Sequence, residues 1–257
     1  MFKTDNYKNK TVVITGGTKG IGLGITKAYL SLSAKVIILA RNKPKKQIQV
    51  KGNKALFYQC NVRDNANVEE VISEIFKSNK CIDVLINNAG GAPLISSLDA
   101  SMNFNNAIID LNLNSSFAVS YYVAKKMVKK SSGCVITNIS SVTATRPTPG
   151  SAAYGAAKGG LVNLTKTLAV EWAPRIRVNS IITGYIETEN SLVHYGSKKD
   201  MKAVAKTIPM KRMGTPEDIA NACIFLSSES SSWITGTAIE VHGGGESPAY
   251  LNSAKPK

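Results

Sequence analysis

Short apolar runs rich in β-branched residues alternate along the chain with longer stretches of helical periodicity. Residues 10–15, Lys-Thr-Val-Val-Ile-Thr, read as a buried strand that runs into the glycine turn Gly16 to Gly22. Ile25, Ala28, Tyr29 and Leu32 follow at the spacing of one helix face. Residues 34–40 form a second strand pattern and 55–60 a third, and the polar, lysine-rich stretch 42–54 between them holds too few apolar positions for a full helix. Val68, Val71, Ile72, Ile75 and Phe76 predict a helix over 65–78 with Asp64 as its N-cap. A fourth strand is expected at 82–87, a long helix at 104–130, a fifth strand at 133–139 and a helix from Tyr154 to about Trp172. The sixth strand falls at 177–182, a helix capped by Thr215 at 216–226, and the last strand at 237–241.

This alternation predicts an α/β fold: one doubly wound parallel sheet of about seven strands, with right-handed crossovers and helices on both faces. No linker or internal repeat divides the chain, so a single domain is expected over 1–257, with a short tail at 246–257. Residues 189–212 are polar and read as irregular, a candidate lid over a substrate.

Composition narrows the class. The chain is 43% hydrophobic and 19% charged, enough to bury a full core. No apolar run is long enough to span a bilayer, and the first ten residues lack a signal-peptide pattern, so a cytoplasmic protein is expected. Its four cysteines and two histidines share no metal-ligand or disulfide spacing, and no metal site is expected. The net charge of +15 gathers at Lys43 to Lys46, Lys125 to Lys130, Lys198-Lys199 and Lys211-Arg212. These clusters are not interleaved with aromatics and no nucleic-acid-binding signature accompanies them, which disfavours nucleic acid as a partner.

The chemistry centres on Tyr154 and Lys158, one helical turn apart, with Ser140 and Ser141 upstream at the end of an apolar run. An ammonium beside a phenol favours the phenolate, so Lys158 is expected to lower the Tyr154 pKa, while Ser141 holds a carbonyl or alcohol oxygen. Tyr-x-x-x-Lys alone occurs on many amphipathic helices; the rest of the chain gives it weight. Strand, glycine turn (Gly16, Gly20, Gly22) and helix make a dinucleotide-phosphate pattern. The second strand ends at Arg41 rather than at an acid, and Lys19 lies in the glycine loop, two cations that suit a 2′-phosphate and lean toward NADP. Asn61 and Val62 fall on the adenine side, and the small residues of Asn87-Asn88-Ala89-Gly90-Gly91 permit close backbone approach to a ligand. Asn112 is polar among hydrophobes in its helix, compatible with backbone bonding near the site.

With these motifs in order, from residue 10 to about 245, the chain resembles the short-chain dehydrogenase/reductases, among them the 3-oxoacyl-acyl-carrier-protein reductase-like members. The resemblance rests on Thr15-Gly-x-x-x-Gly-Ile-Gly22, Asn87-Asn-Ala-Gly90, Asn112, Ser141, Tyr154-x-x-x-Lys158 and Thr188. It implies a Rossmann fold and a catalytic tetrad of Asn112, Ser141, Tyr154 and Lys158, with Ser141 favoured over Ser140 by its distance to Tyr154. Tyr154 then gives its proton to a carbonyl oxygen as nicotinamide delivers hydride. Lys158 lowers the Tyr pKa and bonds the nicotinamide ribose, Asn112 anchors a water leading from Lys158 to solvent, and Ser141 polarises the carbonyl. Cofactor contacts are implied at Gly16, Thr18, Lys19, Gly20, Ile21, Arg41, Asn61, Val62, Asn88, Ala89, Gly90, Tyr154, Lys158, Ile186 and Thr188. Three departures stand out: Thr183-Gly184 where the family has Pro-Gly, Asn61 where it has Asp, and a loop before the sixth strand one residue shorter.

The resulting expectation is an NADP(H)-dependent oxidoreductase acting on CH–OH groups, with a 3-oxoacyl thioester reductase as a strong subcase. An acyl carrier protein or acyl-CoA is then a partner for the basic face at Lys125, Lys126, Lys129 and Lys130. A sugar, polyol or steroid dehydrogenase is an alternative within the fold, and a non-catalytic NADP sensor or nucleic-acid binder an alternative from another class. A homo-oligomer, tetramer or dimer, is implied by the resemblance.

Overall fold

The computed structural model describes residues 7–79, 81–129, 133–246, 248 and 249. Its strands are β1 (Thr11–Thr15), β2 (Lys35–Ala40), β3 (Gln49–Val50), β4 (Asn53–Lys54), β5 (Leu56–Gln59), β6 (Val84–Asn87), β7 (Cys134–Ser141), β8 (Ile176–Thr183) and β9 (Ala238–Val241). The helices are α1 (Gly20–Ser31), α2 (Asn65–Ser78), α3 (Met102–Ile109), α4 (Ser115–Met127), α5 (Ala152–Trp172), α6 (Ser191–Tyr195), α7 (Lys198–Thr207) and α8 (Pro216–Ser227).

Seven strands form one parallel sheet in the order β5-β2-β1-β6-β7-β8-β9, and β3 pairs with β4 in a separate hairpin. Alternation along the strands explains why both faces are covered. Val13 packs with Ile37, Ile72, Ile75, Val123 and Leu168 in a core that α2, α4 and α5 close on one face. Val12 and Ile14 point the other way, into a core with Ile25, Tyr29, Ile219 and Leu226 from α1 and α8. Chain order reverses between β1 and β6, which opens a crevice at the C-terminal ends of these strands. The longest strands, β7 and β8, run in register from Cys134 opposite Ile176 to Ser141 opposite Thr183 and carry the edge of the sheet outward beside that crevice.

Local signals match the expected boundaries closely. Asp64 caps α2 by accepting a hydrogen bond from the Asn67 amide (3.1 Å), and Thr215 with Asp218 makes a capping box on α8 with Pro216 in its first turn. The stretch after β2 forms the β3–β4 hairpin and no helix.

Two expectations are corrected. The helix read over 104–130 begins at Met102, breaks into a π-helical turn at Asp110–Asn114 and resumes as α4. Lys130 and most of the 246–257 tail lie outside the described residues. The stretch 189–212 is not irregular: it contains α6 and α7, and Ser197 and Asp200 build a capping box on α7. That helix buries none of its residues, and its apolar face is short, Met201, Val204 and Ala205 set among lysines. Among the described residues no helix is long and apolar enough to cross a membrane.

Candidate active site

The crevice beside β1 and β6 is laced together by backbone and short polar side chains. Thr15 Oγ1 accepts hydrogen bonds from the amides of Asn88 (2.9 Å) and Ala89 (3.0 Å). Asn88 Nδ2 in turn donates to the carbonyls of Thr15 (3.0 Å) and Gly16 (3.3 Å). A Cβ on Gly22 would collide with the Gly16 carbonyl and with Asn88 Nδ2, so the turn closes only around glycine. Gly20 opens α1 at φ +54, bordered by Thr188, and its amide faces outward. Lys19, the N-cap of α1, contributes no side-chain cap. Backbone amides turned outward at a helix N-terminus fit the diphosphate of a dinucleotide.

The other expected contact residues lie along the same edge. Arg41 and Lys19 are exposed at the ends of β2 and the glycine turn. Asn61 receives a hydrogen bond from the Arg63 amide (3.3 Å) and gives its own amide to Asn67 Oδ1 (2.9 Å). Val62 is buried in the core behind that edge. Ile186 bridges to Gly214 and Thr188 borders Gly20, while Thr18, Ile21, Ala89 and Gly90 are partly or fully exposed in the two turns.

Four side chains meet where β7, α5 and the π-turn converge. Tyr154 and Lys158 lie one turn apart on α5, with Lys158 Nζ 5.6 Å from the centre of the Tyr154 ring. Ser141, the last residue of β7, is hydrogen-bonded to the Tyr154 phenol. Ser140 points away: its hydroxyl donates to the Lys158 carbonyl (3.1 Å), and its own carbonyl accepts from Thr183 Oγ1 (2.9 Å). Of the two serines, Ser141 is the one beside the phenol.

Asn112 sits in the π-turn with no exposed surface. Its Nδ2 donates to the Gly91 (3.0 Å) and Ile108 (2.9 Å) carbonyls, and its Oδ1 accepts from the Gly91 amide (2.8 Å). It thus clamps the turn after β6 to α3. A Cβ on Gly90 would come within 2.6 Å of Asn112 Oδ1 and 3.2 Å of Lys158 Nζ, which measures how tightly that turn covers the pair.

The electrostatics reverse one expectation. Lys158 was expected to lower the Tyr154 pKa, but burial pushes the phenol up, opposed only by the Ser141 hydrogen bond. The ammonium donates to the Ile139 carbonyl (2.8 Å) rather than to the phenol, and burial lowers its pKa to about 8.

Sequence reasoning missed three features. Asn87 Nδ2 donates to Asn138 Oδ1 (2.8 Å) and Ser120 Oγ (2.7 Å), and Asn138 Nδ2 to Thr165 Oγ1 (2.9 Å), a buried network under the site. Its signal was Thr137-Asn138 inside an otherwise apolar strand. Arg146 donates to the Tyr185 phenol (2.8 Å) and pairs with Glu246 (3.1 Å), and the Tyr185 ring meets Tyr195 edge-on at 5.8 Å. Glu189 reaches the amide of Gly20 (2.8 Å). Neither of these last two has a local pattern, since each joins segments distant in the chain.

A family model described as enoyl-(acyl carrier protein) reductase matches residues 16–246. The chain belongs to the short-chain dehydrogenase/reductase family. It is 36% identical over 242 residues to 3-oxoacyl-[acyl-carrier-protein] reductase FabG of Chlamydia pneumoniae, a match covering 91% of this chain and 96% of the relative. A probable 2,4-dienoyl-CoA reductase of Bacillus subtilis is 34% identical over 245 residues, covering 92% and 96% of the two chains. Among solved structures, the ligand-free aldohexose dehydrogenase of Thermoplasma acidophilum superposes with a TM-score of 0.86 at 31% identity, over 98% of this chain and 97% of that one. As a member of this family the chain is an oxidoreductase of CH–OH and ketone groups that uses a nicotinamide cofactor.

The Asn112 clamp gives a stability prediction. Asn112→Asp keeps the shape and the acceptor but turns a carboxylate toward two carbonyls, and is expected to cost about 2–4 kcal/mol in urea unfolding. A loss below about 0.5 kcal/mol would show that the clamp does not hold the turn.

Proposed function

We propose that the chain interconverts a ketone and a secondary alcohol with NADP(H), using Tyr154 as general acid/base, and that a 3-oxoacyl thioester is its substrate class. The observation that carries the chemistry is the convergence of Ser141, Tyr154 and Lys158, with Asn112 fixing the adjacent turn. The thioester subcase is supported by the reductase relatives that act on acyl-carrier-protein substrates.

A bound nicotinamide supplies or accepts the hydride. In the reductive direction Tyr154, its phenol raised by burial, gives its proton to the carbonyl oxygen. Ser141, hydrogen-bonded to that phenol, donates to the same oxygen and holds it in line. The phenolate left behind faces the Lys158 ammonium, whose attraction is strong at this short range and low exposure. Asn112 keeps Gly90 and Gly91 packed over Lys158, so water reaches the pair from few directions.

The cofactor set is Gly16, Thr18, Lys19, Gly20, Ile21, Arg41, Asn61, Val62, Asn88, Ala89, Gly90, Ile186 and Thr188, together with Tyr154 and Lys158. Preference for the 2′-phosphate rests on Arg41 and Lys19, exposed cations at neighbouring strand and turn ends. Val62, buried in the core, fits the set through its backbone only.

NADPH and NADH consumption against an acetoacetyl thioester, diketones and sugar ketones tests the reading, with Tyr154→Phe alongside. NADPH oxidation with the thioester is expected, and Tyr154→Phe lowers it by about 10²–10⁴-fold. NADPH affinity is expected to stay within about threefold, because the lost hydroxyl acts on the substrate oxygen. Unchanged turnover in the variant contradicts the assignment.

The pH profile gives a second check. Reduction uses protonated Tyr154 and charged Lys158, both present below the Lys158 pKa of about 8. Its kcat/KM is therefore level at lower pH and falls as pH rises through about 8, while alcohol oxidation, which needs the phenol to lose its proton, rises with pH. A reduction profile flat from about pH 6 to about pH 10 contradicts these roles.

A further inference from the structure

The Gly20 amide, the first of α1 and the centre of the proposed diphosphate cradle, donates to Glu189 Oε1 at 2.8 Å. The two residues are 169 positions apart, so the contact is a tertiary one. Glu189 lies at the entrance to the segment that carries α6 and α7. That segment is anchored by buried Ser191 and Ile208 and by the Tyr195 ring against Tyr185, but α7 buries no residue, and Leu192 and Val193 of α6 are exposed by 52% and 83%. Its far end is held by the Arg212–Asp218 pair (2.6 Å). At its near end Thr188 is hydrogen-bonded within the segment, its amide to Ser191 Oγ (2.7 Å), which leaves the Glu189 carboxylate as the side chain that crosses to α1.

A carboxylate on a helix N-terminal amide presents the same charge and acceptor geometry as a phosphate oxygen. Resting on the proposed cofactor reading, we infer that Glu189 is an internal stand-in for the dinucleotide diphosphate. It holds the α6–α7 segment against α1 until the cofactor displaces it. Two anions cannot share one amide without repulsion, so the arriving diphosphate breaks the Glu189 contact and releases the segment from α1, while the Ile186–Gly214 bridge stays in place. Cofactor binding is thereby coupled to movement of the segment that flanks the substrate side, at some loss of cofactor affinity.

NADPH is titrated by its fluorescence on binding into wild type, Glu189→Gln and Glu187→Gln. Backbone amide exchange over 189–207 is followed in each without cofactor. Glu187 is an exposed acid two residues away, so its variant makes the same charge change without touching Gly20. Glu189→Gln is expected to bind NADPH about 3- to 10-fold tighter, with the difference shrinking at high salt. Its α6–α7 amides exchange faster than in wild type, and Glu187→Gln matches wild type in both measurements. Equal affinity of wild type and Glu189→Gln, or equal tightening by Glu187→Gln, overturns the inference and leaves the cofactor reading standing. A wild-type protein that binds no NADPH overturns both.

Discussion

An ammonium group with 4% of its residue exposed and one backbone carbonyl at 2.8 Å is an expensive thing to bury, and Lys158 sits at the junction on which the site depends. The carbonyl belongs to Ile139 in β7, two residues before Ser141. The lysine is carried by α5, one turn beyond Tyr154, and is roofed by Gly90 and Asn112 from the β6 turn and the π-turn. Strand, helix and turn must therefore all be in place before the charge has its acceptor and its cover. The parallel register that sets Ser141 opposite Thr183 fixes the strand end, and the Ser140 hydroxyl ties that end to the Lys158 backbone.

The same burial sets the acid–base chemistry. Removing water raises the phenol and lowers the ammonium, moving each toward its neutral form, and the two shifts do different work. A phenol held protonated is a proton donor, and an ammonium near its own pKa responds to the charge that appears when the phenol gives its proton away. Spacing alone suggested the opposite sign for Tyr154, because four residues along a helix reveal proximity but not depth. How much water a pair retains depends on Gly90 and Asn112, which lie far from it in sequence.

The fold was legible where local pattern and tertiary role coincide. The core strands are short apolar runs, several ending at Gly, Asn or Ser, and packed helices carry an apolar stripe, as α2 does with Val68, Val71, Ile72 and Ile75. The motif residues Gly16, Asn88, Asn112, Ser141, Tyr154 and Lys158 converge because they occupy the C-terminal ends of β1, β6 and β7, the first two turns of α5 and the π-turn beside them. The α7 helix was hard to read because its apolar face, Met201, Val204 and Ala205, is short and set among lysines, and the Asn112–Gly91 clamp at the π-turn because it joins distant segments. Val62 shows the limit of carrying contacts over by position, for its side chain belongs to the core.

The central claim is that burial raises the Tyr154 phenol above its ordinary value. A carbon-13 NMR titration of protein labelled at the tyrosine ζ carbon, with Tyr154→Phe to assign the resonance, reads that proton directly. The account predicts a Tyr154 resonance that titrates above the ordinary phenol value of about 10. A resonance already in its phenolate position at about pH 8 would contradict it.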